Sequence, residues 1–439
     1  MSNIMILPNI SYDDTFEVCA EVFCLYAKQK NISFSKGEDG INLIADDALC
    51  SEQSKVEAKD RKILVYASTV KGMHIALAKI LGNLTEKNGC VYFDDEFKGF
   101  CPKMHYRGLM VDLARQKHSV DYILKYIDEC YLNGATHLQL HFTDNESFTL
   151  PVKSFPLLST PGRTYSEQQI SHICEYAKAR GIIIVPEVDI PGHTKSFCES
   201  YPELFKSGKG NHEIMGATYI LPATEEVFDA INVIFQEVAA MFPDSPLIHI
   251  GGDEAAIDGW ETCEKTQNYM KKNGIKDIHH MYAEFIRRSC DIVIGLGRTP
   301  VVWEGFSKEY NHIIPKSTIV ICWEYYYQTA VDLAKAGFQI INSSWRPLYI
   351  VTGRDDWYFA PEEITKWNPW FWRNWWKKSL SYPDGVTINK QGADIIGGQL
   401  CAWGDGLRDM KDYEKGLETE LEQIRIKLPL FCNILFEAE

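Results

Sequence analysis

From Tyr106 onward the sequence is a regular alternation, and this constrains the fold more than any other feature. Eight short apolar runs recur at 108–113, 137–142, 182–186, 247–250, 299–303, 318–323, 338–342 and 395–401. Helical stretches separate most of them. Ser119 is placed to cap a helix running to Asn133-Gly134. Ser166 and Gln169 form a capping box, and Gly181 stops the helix they open. Thr224 opens a helix with Val227, Phe228, Ile231, Ile234, Phe235 and Val238 on one stripe. Eight β/α units predict a TIM (β/α)8 barrel. The competing fold is an open doubly wound sheet, but no glycine-rich phosphate loop follows the first run, which removes support for its nucleotide-binding version.

Residues 1–100 lack this alternation. An amphipathic helix is expected over 15–29, a strand over 61–67, and a helix over 69–84 with Met73, Ile75, Ala76, Ala78 and Leu81 on its apolar positions. The expected organisation is a small α/β domain at 1–100, followed by the barrel at 101–439. The small unit clusters no catalytic residue types.

Charge and cysteine usage exclude several functions. With 45 basic and 60 acidic side chains the formal charge is −15, which repels nucleic acid. The 13 cysteines are scattered without a CxxC pair, against both a disulfide framework and a zinc ribbon. The opening MSNIMILPNISYDD has no basic region and only a short apolar run, and no window approaches the ~20 apolar residues of a membrane span. The expectation is a reduced, cytoplasmic protein with no membrane partner.

In a barrel of this kind function collects at the C-terminal ends of the strands. Read in order, those ends carry Asp112 and Arg115; His141 and Asp144; Glu187, Asp189 and His193; Asp253 and Glu254; Trp303-Glu304; Trp323-Glu324; Trp345 and Tyr349; and Trp403 and Asp405. Any one of these has an ordinary explanation as a helix cap or core residue. Together they form a rim of acids, tryptophans and histidines with almost no lysine. Phosphate chemistry wants the opposite charge. Sugar chemistry wants carboxylates at the scissile oxygen and flat apolar faces for the ring, and this rim has both. His141, Asp144, Asp189 and His193 offer metal-ligand types, but their spacing matches no compact motif such as HExxH, so neither a metal nor another cofactor is expected.

Four runs then occur in order: RGLMVDLAR (107–115), LHFTDNESF (140–148), PEVDIPGH (186–193) and HIGGDE (249–254). WEG (303–305), CWE (322–324), PLYIV (347–351) and CAWGD (401–405) continue the series. This set resembles glycoside hydrolase family 20, the β-N-acetylhexosaminidases, over about residues 100–410, and the N-terminal unit resembles that family's small non-catalytic domain. The resemblance implies a retaining exo-enzyme that removes terminal β-linked GlcNAc, with GalNAc also in question, by substrate-assisted catalysis. The substrate's own acetamido carbonyl attacks the anomeric carbon to form an oxazolinium. Glu254 matches the general acid/base, Asp253 the ionised group that accepts the acetamido N–H, and Tyr349 the tyrosine that contacts the acetamido oxygen. Trp303, Trp323 and Trp403 match tryptophans walling that pocket, and Arg115 the arginine that grips sugar hydroxyls. His193, Asp144, Asp189 and His141 match residues that orient the acids and the sugar from behind.

Two departures are visible. Asn145 follows Asp144 where family members often carry a second acid, and Asp405 stands where many carry Glu. The shorter Asp405 leaves open the choice between GlcNAc and GalNAc. A tryptophan-rich insertion at 357–378 is read either as a packed loop or as a wall of the sugar or leaving-group site. It carries Trp357, Trp367, Trp370, Trp372, Trp375 and Trp376 beside Arg373, Lys377 and Lys378. The alternatives are a relative acting on a disaccharide or a 6-sulfated GlcNAc, a catalytically inactive sugar-binding protein, and a two-carboxylate glycosidase with Glu187 or Glu304 as nucleophile.

Overall fold

Eight parallel strands close into a ring in the computed structural model, which describes residues 3–94, 98–207, 219–374, 382 and 384–438. They are β1 (Tyr106–Asp112), β2 (His137–His141), β3 (Ile183–Glu187), β4 (Leu247–His249), β5 (Thr299–Trp303), β6 (Ile319–Cys322), β7 (Gln339–Asn342) and β8 (Asp394–Ala402). β1 pairs with both β2 and β8, which closes the barrel. All eight expected strands are present, their ends within two residues of those expected. A short extra strand, Tyr349–Ile350, lies beside β8 with Tyr349 opposite Cys401.

The caps that mark the helices also form. Ser119 accepts the Tyr122 N–H to open Val120–Asn133, which ends at Gly134 in the left-handed region (φ 71°). Ser166 and Gln169 make the reciprocal capping box of Glu167–Lys178. That helix ends before Gly181. Thr224 caps Glu225–Met241, whose stripe from Val227 to Val238 is buried. Each such buried aliphatic or aromatic side chain stabilises the fold by about 1.5–3 kcal/mol. The long helix Tyr413–Glu437 packs on Val120–Asn133, and its buried Glu420 meets His118 at 3.0 Å and Tyr126 at 2.8 Å.

The N-terminal unit has more sheet than its sequence displays. A six-stranded sheet runs in the order Ser35–Lys36, Asn9–Ser11, Ile41–Ala45, Lys62–Ala67, Ser54–Lys59, Gly99–Phe100. Helices Glu17–Gln29 and Val70–Gly82 accompany it. A separate three-stranded sheet joins Asn3–Ile6, Cys90–Asp94 and Leu84–Lys87. Only 61–67 is expected as a strand there, because segments such as SKVEAK are short and half charged, and tertiary pairing overrides weak local preference. The unit has its own apolar core, including Phe16, Phe23, Ile63, Val65, Leu77 and Phe93. Its seam with the barrel combines aromatic packing, such as Tyr26 stacked on Tyr131 at 5.0 Å, with ionic contacts. Glu52 meets Arg107 at 2.8 Å and Lys71 at 2.7 Å, and Arg180 meets Asp128 at 3.0 Å beside the Tyr26 hydroxyl.

Candidate active site

The C-terminal ends of the strands surround a cavity lined by Arg115, Asp253, Glu254, Trp323, Trp345, Tyr349, Trp357, Trp403 and Asp405.

The acids reach it because β4 stops early. The strand ends at His249, and Gly251 (φ 70°) and Gly252 (φ 92°) turn the chain out of extended geometry, so Asp253 and Glu254 do not alternate across a pleat. Gly251 is required at its position, since a Cβ there lies 1.7 Å from Asp189 Oδ1. That oxygen accepts the Gly252 N–H at 3.1 Å and holds the turn. Glu254 is itself left-handed at φ 41°, the kind of backbone strain that collects at functional sites.

Behind the acids lies a chain of ion pairs. His193 Nδ1 lies 3.0 Å from Asp144 Oδ1, and its Nε2 lies 3.4 Å from Glu254 Oε2. His141 Nε2 lies 3.0 Å from Asp144 Oδ2, and its Nδ1 lies 2.8 Å from Glu187 Oε2. Burial lowers the basicity of an isolated imidazole, but Asp144 and Asp189 hold His193 well above its ordinary pKa, and Glu187 and Asp144 do the same for His141. Burial raises a carboxyl, yet His141 and His249, with the His141 and Gln139 hydrogen bonds, bring Glu187 down to about 2.

Asp253 is different. Burial pushes its carboxyl up to about 7, with His193 opposing the shift and Glu254 adding to it. Its Oδ1 is buried with no hydrogen-bond partner among the described residues. The resemblance carries Asp253 as ionised. In this chain burial works against ionisation, and a donor N–H arriving at Oδ1 favours the carboxylate.

At the opposite side of the mouth Arg115 is gripped by three acids. It lies 3.0 Å from Asp112, 2.9 Å from Asp144 and 3.5 Å from Asp405, and stands over the Trp403 ring at 5.0 Å. Asp112 also accepts the Gly404 N–H at 3.0 Å, tying β1 to the β8 turn. Burial raises the Asp405 carboxyl, and Arg115 opposes that shift.

Aromatic rings form the wall between. Tyr349 stacks on Trp345 at 5.1 Å, lies parallel to Trp323 at 6.4 Å and sits 5.9 Å from Trp403. Trp303 lies deeper. It is 1% exposed, donates to Glu187 at 2.6 Å and packs beneath Trp403 at 5.8 Å. Trp345 and Trp357, placed in the sequence at a strand end and in the insertion, line the cavity beside the tryptophans carried over from the family. The other described insertion tryptophans go elsewhere: Trp367 packs on Phe431, Lys390 stands over Trp370, and Trp372 donates to the Cys322 carbonyl at 2.9 Å. Trp375, Trp376, Lys377 and Lys378 lie outside the described residues.

Both candidate nucleophiles of the two-carboxylate reading are sealed. Glu187 and Glu304 are each 0% exposed. Glu187 is committed to His141, Gln139 and Trp303. Glu304 accepts the backbone N–H groups of Tyr325 (3.0 Å), Tyr327 (2.9 Å) and Gln328 (3.2 Å). The Coulombic neighbourhood also draws in Glu324, which sequence reading places at a strand end without a role. Burial, then Glu304, Glu254 and Asp253, hold it well above the carboxylate range.

Two trios, His141–Glu187–Asp189 and Asp189–His193–Asp253, have potential ligand atoms within 4.8 Å of one another. In both, the imidazole nitrogens already face carboxylates, so an ion has to displace the ion pairs that orient Glu254 and Asp144. The donor set fits an ion-paired relay better than a resident metal.

Among the described residues no helix is long and apolar enough to cross a membrane. Residues 104–417 match the family model described as glycosyl hydrolase family 20, catalytic domain. The beta-hexosaminidase subunit beta of Felis catus is 30% identical over 69% of this chain and 55% of its own length. A beta-hexosaminidase of Vibrio furnissii is 27% identical over 60% of the chain and 46% of its own. The chain therefore spans about half the length of the curated relatives it matches. Among solved structures, a GH20 exo-β-N-acetylglucosaminidase from Vibrio harveyi, in complex with N-acetylglucosamine, superposes with a TM-score of 0.81 at 20% identity, covering 98% of this chain and 71% of that one. A β-N-acetylhexosaminidase from Bacteroides fragilis superposes at 0.71 and 22% identity, covering 95% and 88%. By the family model and the Felis catus relative, on a barrel whose mouth carries the acids in the expected order, this chain belongs to glycosyl hydrolase family 20.

Proposed function

We propose that the chain is a retaining exo-β-N-acetylhexosaminidase that removes terminal β-linked GlcNAc by substrate-assisted catalysis. The observation that carries this reading is the buried Oδ1 of Asp253, without a hydrogen-bond partner among the described residues, in an aromatic cavity that also holds Tyr349 and Glu254. An acetamido group answers both polar contacts: its N–H donates to Asp253 and its oxygen accepts from the Tyr349 hydroxyl. That fixes the carbonyl oxygen against the anomeric carbon, and the developing positive charge on the amide is balanced by the Asp253 carboxylate. Glu254 donates its proton to the leaving oxygen and then takes one from the incoming water. His193, paired to Asp144, stands 3.4 Å from Glu254 and orients it. The sealing of Glu187 and Glu304 supports a mechanism in which the substrate supplies the nucleophile.

Arg115 and Asp405 both line the cavity and suit the hydroxyls of a non-reducing terminal sugar. In this reading residues 101–439 are the catalytic domain and 1–100 a non-catalytic one. A cytoplasmic address is part of the same proposal, supported by eight buried cysteines carried as free thiols.

The test compares p-nitrophenyl β-GlcNAc, β-GalNAc and β-Glc. Cleavage of the acetamido sugars only, with strong inhibition by a thiazoline mimic of the oxazoline, is the expected result. Cleavage of β-Glc, or a fluorosugar-trapped enzyme ester, overturns the mechanism.

A further inference from the structure

The segment after β6, Glu324-Tyr325-Tyr326-Tyr327-Gln328, is built in a way that the reaction at the anomeric carbon does not explain. Its backbone is clamped from below by one carboxylate. Glu304, following β5, takes the N–H groups of Tyr325, Tyr327 and Gln328. Gln328 adds hydrogen bonds to the Phe306 carbonyl at 2.9 Å and to Asn311. A loop anchored this firmly presents two tyrosines in fixed positions. Tyr326 is 50% exposed, among the most exposed large hydrophobic side chains described, and packs edge-on against the part-buried Tyr327 at 5.1 Å. The Tyr327 hydroxyl lies within electrostatic reach of Glu324, Glu254 and Asp253.

The position of this loop in the ring gives the pair a direction. Arg115 follows β1 and Asp405 follows β8, and these strands are neighbours. β4, which carries the acid pair, is four strands from β8 in the ring of eight, on the opposite side of the mouth. A sugar held by Arg115 and Asp405 with its anomeric carbon at Glu254 therefore projects its leaving group beyond β4, towards the loops of β5 and β6. The acetamido wall of Trp323, Trp345, Tyr349 and Trp403 is already occupied by the other substituent.

We propose that Tyr326 and Tyr327, on the loop clamped by Glu304, form the leaving-group subsite and take the apolar C–H face of a second sugar ring. The proposal rests on the hexosaminidase reading above and adds the part of the substrate that departs: a hexosyl residue rather than a small alcohol.

The test uses the full chain with N,N′-diacetylchitobiose and, as reference, methyl β-N-acetylglucosaminide, which needs the same proton from Glu254 but whose leaving group has no ring. In Tyr326→Ala/Tyr327→Ala, the ratio of kcat/KM for the disaccharide to that for the methyl glycoside should fall about tenfold, the size of lost aromatic contacts. Tyr326→Ala alone, at a half-exposed position that the fold does not need, should lower the ratio in the same direction by less. An unchanged ratio in both variants overturns the proposal, whether both rates fall together or neither moves. If the wild-type chain cleaves neither substrate, the hexosaminidase reading fails first and takes the subsite with it, a result distinguishable from an unchanged ratio in an active enzyme.

Discussion

Two regions of this molecule bury acids, and they treat them in opposite ways. At the seam between the N-terminal unit and the barrel, Glu52 is 4% exposed and is answered by Arg107 and Lys71. Burial raises its carboxyl, but the two cations overcome that and hold it below the usual range. At the mouth, Asp253 is almost as buried and has an oxygen with no hydrogen-bond partner among the described residues, and burial leaves it at about 7. An isolated buried charge is expensive, so a closed pair marks a structural joint, whereas an open one marks a place where something is expected to bind.

Mutation can break this contrast. Glu254→Gln should have the largest effect, lowering kcat on N,N′-diacetylchitobiose by about 10²–10⁴-fold, the usual worth of a positioned proton donor, with Tm nearly unchanged. Near wild-type turnover would remove Glu254 from its role. Glu52→Leu should do the reverse. It strands Arg107 in the seam and should cost about 3–5 kcal/mol in chemical denaturation, while kcat/KM below the transition stays at the wild-type value. Full stability in this variant would show that the seam does not need its charge pair.

Asp253→Asn sharpens the comparison from the other side. It removes one transition-state contact, so kcat should fall by about 10²–10³-fold, yet it also removes an unpaired buried acid, so stability should hold or rise. The wild-type pH profile carries the same information. The reaction needs Asp253 ionised, and its carboxyl sits at about 7 in the free site, so kcat/KM should fall as pH drops below ~7. That limb should be missing in Asp253→Asn, and a flat wild-type profile between pH 5 and 8 would count against the assignment. The smallest effect is expected from Asp405→Glu. Restoring the longer side chain at the Arg115 end should change the ratio of kcat/KM for p-nitrophenyl β-GlcNAc over β-GalNAc by roughly tenfold, one hydrogen bond's worth. An unchanged ratio would place Asp405 outside sugar recognition.

Much of the barrel was legible before any coordinates. The eight runs became the eight strands because short apolar stretches recur between capped helical segments. Ser119, Ser166 and Thr224 opened their helices because a cap satisfies its backbone donors within a few residues. The small sheet near the N-terminus was mostly illegible. Strands such as Ser54–Lys59 and Asn9–Ser11 are short or charged; the first folds straight back on Lys62–Ala67, and the second takes its partner, Ile41–Ala45, from beyond a helix. The tryptophans show the same limit. Trp303, Trp345 and Trp357 look alike along the chain, yet the first is sealed against Glu187 and the other two line the cavity.

By itself, then, the sequence determined the fold class, the order of acids around the mouth and the membership of the chain in its family, since these depend on local periodicity and short contiguous motifs. The tertiary structure alone decided which of those acids is paired, sealed or left open. Pairing joins residues 55 apart in Glu52 and Arg107, and 116 apart in Glu187 and Trp303. Desolvation sums over neighbours from every strand, and no run of adjacent residues encodes that sum.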